Sequence, residues 1–306
     1  GTPTKVELPT KVVSLIAWLN RTVALDENGE VYVWGEGYAT TPQKLAIDKK
    51  VTQITGDAVL TEDKEVYTFG NLTTPVAGLE NIVQIAASAN NSYTRAGSYI
   101  ALREDGKIYT WGANNYGQLG NGTTSTNNTP TLVKDANGAE LSDIAEVHSD
   151  RYGFIVRTKS GEIYSWGQNE EGEAGTGVEG RLTRPAKATD ITGMQYASDS
   201  QGYTHLLIDS EGYIWVCGWN NYGQLGIGTT TDILKYQRIE GEEFSAKNYE
   251  YKIRPQESIN LTKNDFEYVN EFNVYANGGK QVGDLSFETE NSQIAEVDST
   301  GKVTAI

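Results

Sequence analysis

The chain has 306 residues with 38% hydrophobic content, 33 glycines, 7 prolines and a net charge of −16 at pH 7. That length allows one large or two ordinary domains, and the charge argues against nucleic acid and anionic membrane surfaces, both of which select clustered Lys and Arg. One cysteine, Cys217, excludes an internal disulfide, and no apolar run reaches the roughly 18 residues that a membrane-spanning helix needs.

In chain order the sequence predicts one unit written five times. An apolar strand opens each copy: Val12 to Trp18, Val51 to Thr55, Ile82 to Ser88, Ile144 to Ser149 and Ile191 to Ser198. A hairpin follows: ALDENGEVYVWG (Ala24 to Gly35), VLTEDKEVYTFG (Val59 to Gly70), ALREDGKIYTWG (Ala101 to Gly112), VRTKSGEIYSWG (Val156 to Gly167) and LIDSEGYIWVCG (Leu207 to Gly218). Four copies place Gly in the hairpin turn, where a positive φ costs nothing without a Cβ. The second has Asp63-Lys64 instead and predicts a looser turn or one of another type. A variable loop comes next, then a short segment opened by Thr41-Pro42, Thr74-Pro75, Thr129-Pro130 or Arg184-Pro185. Proline there suits an edge strand that can spare an N–H. Each unit therefore reads as four short antiparallel strands, and the fold class as all-β.

The loop after the hairpin is nearly duplicated, as WGANNYGQLGNGTT from Trp111 and GWNNYGQLGIGTT from Gly218, with a weaker copy, WGQNEEGEAGTG, from Trp166. Repeated four-stranded units of about 40 to 50 residues indicate β-propeller blades. The pattern (V/I)xQIAA, ALxxDGxIYxWG, NNYGQLGNGT and TP resembles the repeat of the regulator of chromosome condensation family, over roughly residues 1–242. The resemblance implies a propeller. It leaves function open, since that family includes exchange factors, photoreceptors, enzyme inhibitors and bacterial surface proteins, and one fold hosts many roles. Two arrangements are open, a five-bladed closure and an open series. Closure is favoured because unpaired blade faces expose apolar surface.

The domain reading is a propeller over 1–243 and a connector with a second module over 244–306. In that second stretch, LSFETENSQIAEVDSTGKVTAI resembles the bacterial immunoglobulin-like domain of group two, without its last strand. The natural polypeptide is expected to extend beyond both ends.

The chemistry-bearing residues are sparse. His148 and His205 read as structural histidines and Cys217 as a small core hydrophobe; the three offer no metal-ligand spacing and no nucleophile–base pair. The acidic turns lack the alternating ligands of a calcium loop, and YGQLG lacks the Lys-Ser/Thr of a phosphate cradle. Tyr116 and Leu119 are expected to pack between blades, and Gly117 and Gly120 to permit tight turns. No cofactor and no metal are expected.

Binding is expected where the copies differ, in the loops between the first and second strand of each blade. These gather Trp18, Arg21, Tyr93, Arg95, Asp150, Arg151, Tyr152, Asp199, Gln201 and Tyr203, residue types that often anchor interfaces. The expected function is a non-enzymatic, monomeric module that binds a protein or a glycan. Its expected setting is a secreted or cell-surface bacterial protein, extracellular and not inserted in a membrane. An enzyme inhibitor resembling β-lactamase-inhibiting propellers is the alternative. A nuclear exchange factor is disfavoured, since no basic segment is present. A hydrolase would require turnover that no visible constellation supplies.

Overall fold

The computed structural model describes residues 5–18, 20–89, 97–197 and 202–239, together with five short strands beyond residue 266. The chain divides into two compact units, Gly1–Glu240 and Gly241–Ile306.

In the first unit, blade one comprises β1 (Val12–Trp18), β2 (Arg21–Asp26), β3 (Val31–Gly35) and β4 (Gln43–Lys44). Blade two holds β5 (Val51–Thr55), β6 (Ala58–Thr61) and β7 (Val66–Thr68). Blade three holds β8 (Ile82–Ala89), β9 (Gly97–Arg103), β10 (Ile108–Gly112) and β11 (Asn127–Leu132). Blade four holds β12 (Ile144–Ser149), β13 (Gly153–Thr158), β14 (Ile163–Gly167) and β15 (Leu182–Lys187). Blade five holds β16 (Met194–Ala197), β17 (Thr204–Asp209), β18 (Ile214–Gly218) and β19 (Ile233–Arg238). Every sheet is an antiparallel meander in sequence order.

Blade two departs from the expected four strands. Its last strand is reduced to one bond, from the Val76 N–H to the Val66 carbonyl at 2.8 Å. The same bond closes the other blades, from Leu45 to Val31 and from Val133 to Ile108, for example. The loop after Gly70 is the shortest of the set, and Pro75 has no N–H to extend the pairing.

The turn of blade two corrects the expectation of a different type. Lys64 adopts φ +62°, beside +81° at Gly29 and +83° at Gly106. Its N–H donates to the Thr61 carbonyl at 2.9 Å, as Gly29 does to Asp26 at 3.0 Å. The reason lies in the next blade: the Lys64 carbonyl must accept the Ile82 N–H (3.1 Å), as the Gly29 and Gly106 carbonyls accept those of Val51 and Ile144 (3.0 Å each). Blade docking imposes the left-handed backbone even on a residue with a Cβ, at a cost of about 1 kcal/mol. Lys64→Gly is therefore expected to stabilise the domain by about 0.5–1 kcal/mol. Denaturant unfolding at high salt checks this, because screening removes the exposed Lys64–Glu104 ion pair (2.8 Å) from the comparison. A less stable variant there would refute the strain.

The inner strands carry a second docking device. Gln53 donates from Nε2 to the Ile85 carbonyl and accepts the Ile85 N–H on Oε1, both at 2.9 Å. Gln84 does the same to Val147 at 2.8 and 3.0 Å. Each glutamine thus occupies the edge groups of the next blade's inner strand. Residues of β1, β5, β8 and β12 line a cavity of about 220 Å³.

Apolar clusters lie between successive blades. Val33 and Ile54 belong to the one joining blades one and two, Leu60 and Ile85 to two and three, Ile108 and Phe154 to three and four, and Ile155 and Leu207 to four and five. A fifth cluster, with Val216, Leu225 and Ile239, lies within blade five. Among the described residues no cluster joins blade five to blade one, so the favoured five-bladed closure is not what the packing shows. Val13 and Leu15 on β1 are exposed, 58% and 62%.

In the second unit, β20 (Glu267–Val269), β23 (Ala295–Val297) and β24 (Lys302–Ala305) form an antiparallel sheet in the order β20-β24-β23. A separate pair joins β21 (Tyr275–Ala276) to β22 (Lys280–Gln281).

Candidate functional site

The site begins with one asparagine, repeated three times. After the closing glycine of blades three, four and five come Asn114, Asn169 and Asn220, all fully buried. Asn114 Oδ1 accepts the Leu119 N–H at 2.8 Å, and Nδ2 donates to the Thr123 and Ser125 carbonyls at 3.0 and 3.1 Å. Asn169 and Asn220 make the equivalent bonds to Ala174, Val178 and Gly180, and to Leu225, Thr229 and Thr231. A side-chain amide thus replaces secondary structure for a whole loop. Inside it, Gln118 Oε1 accepts the Tyr116 N–H (2.8 Å) and Gln224 Oε1 the Tyr222 N–H (3.0 Å). Glu173 accepts the Glu171 N–H at 2.9 Å in the same place.

The loop then reaches the next blade. The Gln118 carbonyl accepts the Trp166 indole N–H at 2.7 Å, and the Glu173 carbonyl the Cys217 thiol at 3.1 Å. The approach is close enough to require glycine: a Cβ at Gly120 would lie 2.9 Å from Trp166 Nε1, and one at Gly175 would lie 2.3 Å from the Tyr236 ring. The expected packing of Tyr116 between blades is what its stacking on Tyr152 shows, Gly117 and Gly120 take the positive φ of tight turns (+81° and +61°), and Leu119 is buried.

These loops, with those between the first and second strands of blades four and five, carry a continuous ladder of aromatic and guanidinium groups across blades three, four and five. The Arg181 guanidinium lies 5.5 Å from the Tyr116 ring centroid. Tyr116 stacks on Tyr152 at 4.4 Å. Arg151 lies 5.0 Å from the Tyr152 ring and 5.6 Å from that of Tyr203, and donates from Nη1 to the Tyr203 hydroxyl at 3.4 Å. Tyr203 meets Trp219 edge to face at 6.1 Å, and Trp219 meets Tyr222 likewise at 5.3 Å. Ring pairs of this kind contribute about 0.5–1.5 kcal/mol each, and exposed cation–π contacts about 0.5–1 kcal/mol. The ladder is therefore held in shape before any ligand arrives. Tyr222, at its end, is 82% exposed.

Of the residues expected to bind, Arg151, Tyr152 and Tyr203 are in the ladder. Tyr93, Arg95, Asp199 and Gln201 lie outside the described residues. Trp18 is buried, within 3.3 Å of the Cβ positions of Gly56 and Gly97. Arg21 is turned inward to Asp57 of blade two at 3.0 Å, and lies 5.6 Å from the Tyr38 ring. Asp150 is also buried. Its Oδ1 accepts the Tyr152 N–H at 2.7 Å, and its Oδ2 faces His205 Nε2 at 3.2 Å. These three support the binding loops from within.

Tyr116, Arg181, Trp219 and Tyr222 were missed as surface groups. Both tyrosines sit in the duplicated loop, whose repetition signals packing, and Tyr116 does both jobs. Trp219 had a usable signal, because the matching positions are Ala113 and Gln168.

Beneath the ladder, Asp150, His205 and Cys217 come together at the contact of blades four and five. His205 Nδ1 lies 3.5 Å from the Tyr236 hydroxyl. Burial pushes the Cys217 thiol far up, and the side chain is fully enclosed, so no substrate reaches it. Among the described residues no three His, Cys, Asp or Glu side chains gather as a metal site.

Comparison with known proteins agrees with the architecture. The repeat of the regulator of chromosome condensation, RCC1, matches residues 105–148 and 211–247, and a second model of that repeat matches 82–118. The ultraviolet-B receptor UVR8 of Arabidopsis thaliana is 28% identical over 241 residues, covering 78% of this chain and 49% of its own. A secretion-regulating guanine nucleotide exchange factor of Bos taurus is 26% identical over 261 residues, covering 79% and 52%. For the human E3 ubiquitin-protein ligase HERC2 the identity is 24% over 283 residues, covering 78% of this chain and 6% of HERC2. The chain thus spans about half the length of the first two relatives and a small part of the third. Among solved structures, Prp20p of Saccharomyces cerevisiae, described with its binding to Gsp1p and histones, superposes with a TM-score of 0.60 at 22% identity. That match covers 76% of this chain and 64% of Prp20p. The matched stretches are RCC1 repeats, and the fold is a β-propeller.

Proposed function

We propose that this chain is a protein-binding module that engages its partner through the ladder running from Arg181 to Tyr222. The observation that carries the reading is continuity: side chains from three successive blades touch one another, those of Tyr116 and Tyr222 on loops fixed by buried asparagines and those of Arg151, Tyr152 and Tyr203 on the loops between the first and second strands of blades four and five. Pre-ordered Tyr, Trp and Arg lose little entropy on binding and recur among interface residues of high energetic weight. Prp20p, a propeller of the same fold, is described binding proteins, which supports a protein as the ligand here.

The fuller proposal places the module, as a monomer, in a secreted or cell-surface bacterial protein, with residues 244–306 as an immunoglobulin-like spacer. A glycan is the second ligand class, favoured by the exposed Tyr222 ring beside Trp219. An inhibitor of an extracellular enzyme would use the same face in a 1:1 complex.

Recovery of a partner on the immobilised full chain, compared with Tyr152→Ala/Tyr222→Ala, tests the reading. The double variant should bind that partner about 30-fold more weakly or worse, since each truncation at an anchor costs on the order of 1–2 kcal/mol. A partner retained equally by both proteins would reject the ladder as the interface.

A further inference from the structure

We infer that the ladder receives an acidic, extended segment of its protein partner, with carboxylates seated on Arg151 and Arg181; this rests on the ladder being the interface. The observation is a contrast in how the chain treats its cations. In a protein of net charge −16, many exposed basic side chains of the blades are neutralised by carboxylates of the described residues, although Lys11, Lys134 and Lys159 are not among them. Lys44 pairs with Glu30 at 2.6 Å, Lys64 with Glu104 at 2.8 Å, Arg103 with Asp105 at 2.6 Å and Lys187 with Glu162 at 2.6 Å. Arg151 and Arg181 are also exposed. Among the described residues neither has a carboxylate within 4.0 Å. Both are held beside tyrosine rings.

The stacking has a chemical consequence. A guanidinium beside a ring satisfies its π face and keeps in-plane N–H donors, which match a carboxylate in bidentate geometry. Arg151 spends one donor on the Tyr203 hydroxyl, at a long 3.4 Å. Among the described residues no carboxylate takes the rest of its fork. The rings of Tyr116 and Tyr152 separate the two guanidinium groups. A partner therefore needs more than one carboxylate to occupy both, and a chain that carries them in extended form fits the line of the ladder. Trp219 and Tyr222 continue that line and offer aromatic surface to the same segment.

The net negative charge opposes an acidic ligand at long range. At physiological salt the screening length is about 8 Å, so the local pair of arginines governs the encounter at contact. The negative surround then rejects ligands that carry acid without the right spacing.

The test uses the full chain and three fluorescently labelled dodecapeptides, alternating Glu, Gln or Lys with Ser, followed by anisotropy at about 0.15 M salt. The Glu peptide should bind at least about tenfold tighter than the Gln peptide. Arg151→Gln/Arg181→Gln should erase that preference, with circular dichroism showing an unchanged fold. Equal affinity for the Glu and Gln peptides, a preference for the Lys peptide, or no binding of the Glu peptide at millimolar concentration would overturn the inference. Binding of the Lys or Gln peptide that Tyr222→Ala abolishes would leave the ladder as the interface and remove only the acidic chemistry.

Discussion

Asn114→Ala should lower the stability of the blade series by about 3 kcal/mol, because it strands the buried Leu119 N–H and removes the donor that fixes the rest of the loop. The substitution removes the acceptor of the Leu119 N–H and the donor to the Thr123 and Ser125 carbonyls. Asn114 is fully buried, as is most of Leu119, so water cannot reach the Leu119 N–H without opening the loop. Opening it also withdraws the Gln118 carbonyl from the Trp166 indole and loosens the contact of blades three and four. For a domain of this size the loss corresponds to roughly 6–12 °C in melting temperature. Asn115→Ala is the control: that side chain is exposed, and its removal should cost no more than about 0.5 kcal/mol. Thermal melts of the two variants decide the matter. Equal melting temperatures would mean that the asparagine is not what holds the loop.

Glu173→Gln should stabilise the protein in a pH-dependent way. Burial pushes the Glu173 carboxyl from 4.5 up to about 7, with the Asp150 charge adding to the rise, and backbone N–H donors from Glu173 and Glu171 and the nearby His205 opposing it. Since the folded pKa exceeds the unfolded one, the folded state binds more protons than the unfolded state between pH 4.5 and 7. Stability therefore falls as pH rises through that window and levels off above it. The full drop is on the order of 3 kcal/mol. Glutamine stands at the matching positions, Gln118 and Gln224, and a protonated Glu173 resembles it in shape and bonding. The variant should match the native chain near pH 4.5 and exceed it by about 2–3 kcal/mol at pH 8. Urea unfolding at the two pH values measures the difference. An equal difference at both, or a weaker variant at pH 8, would show that the carboxylate is not desolvated as the geometry implies.

Much of the blade architecture could be read from residue order, since alternation and turn glycines act locally. Ile144, Gly161 and Gly167 stand where the pattern puts them because each answers to its own strand or turn. What escaped were effects that belong to the neighbouring blade. Lys64 takes a glycine's backbone because Ile82, in another blade, needs its carbonyl. The missing strand after Gly70 follows from loop length, which a pattern of strands does not weigh. At the candidate site, variation between copies pointed to Arg151, Tyr152 and Tyr203. The same criterion concealed Tyr116 and Tyr222, whose repetition looked purely architectural. Asp150 and Arg21 have the residue types of a binding surface, and only burial and their partners His205 and Asp57 reveal inward duties. The asparagines were unremarked because an Asn in a polar loop looks ordinary until its amide is counted against the backbone it satisfies.

The apolar clusters that join blade to blade among the described residues have a thermodynamic meaning. A chain of modules that touch only their neighbours behaves as a one-dimensional lattice, in which each unit's population depends on its intrinsic stability and on its one or two couplings. Among the described residues blade three is coupled on both sides, to blade two and to blade four. A lesion in a blade coupled on both sides divides the lattice into two pieces that stabilise each other no longer. Tyr116 and Tyr152 stack across the contact of blades three and four. The proposed recognition surface thus straddles a link that also carries an apolar cluster, so a local break there disrupts both the ladder and the fold.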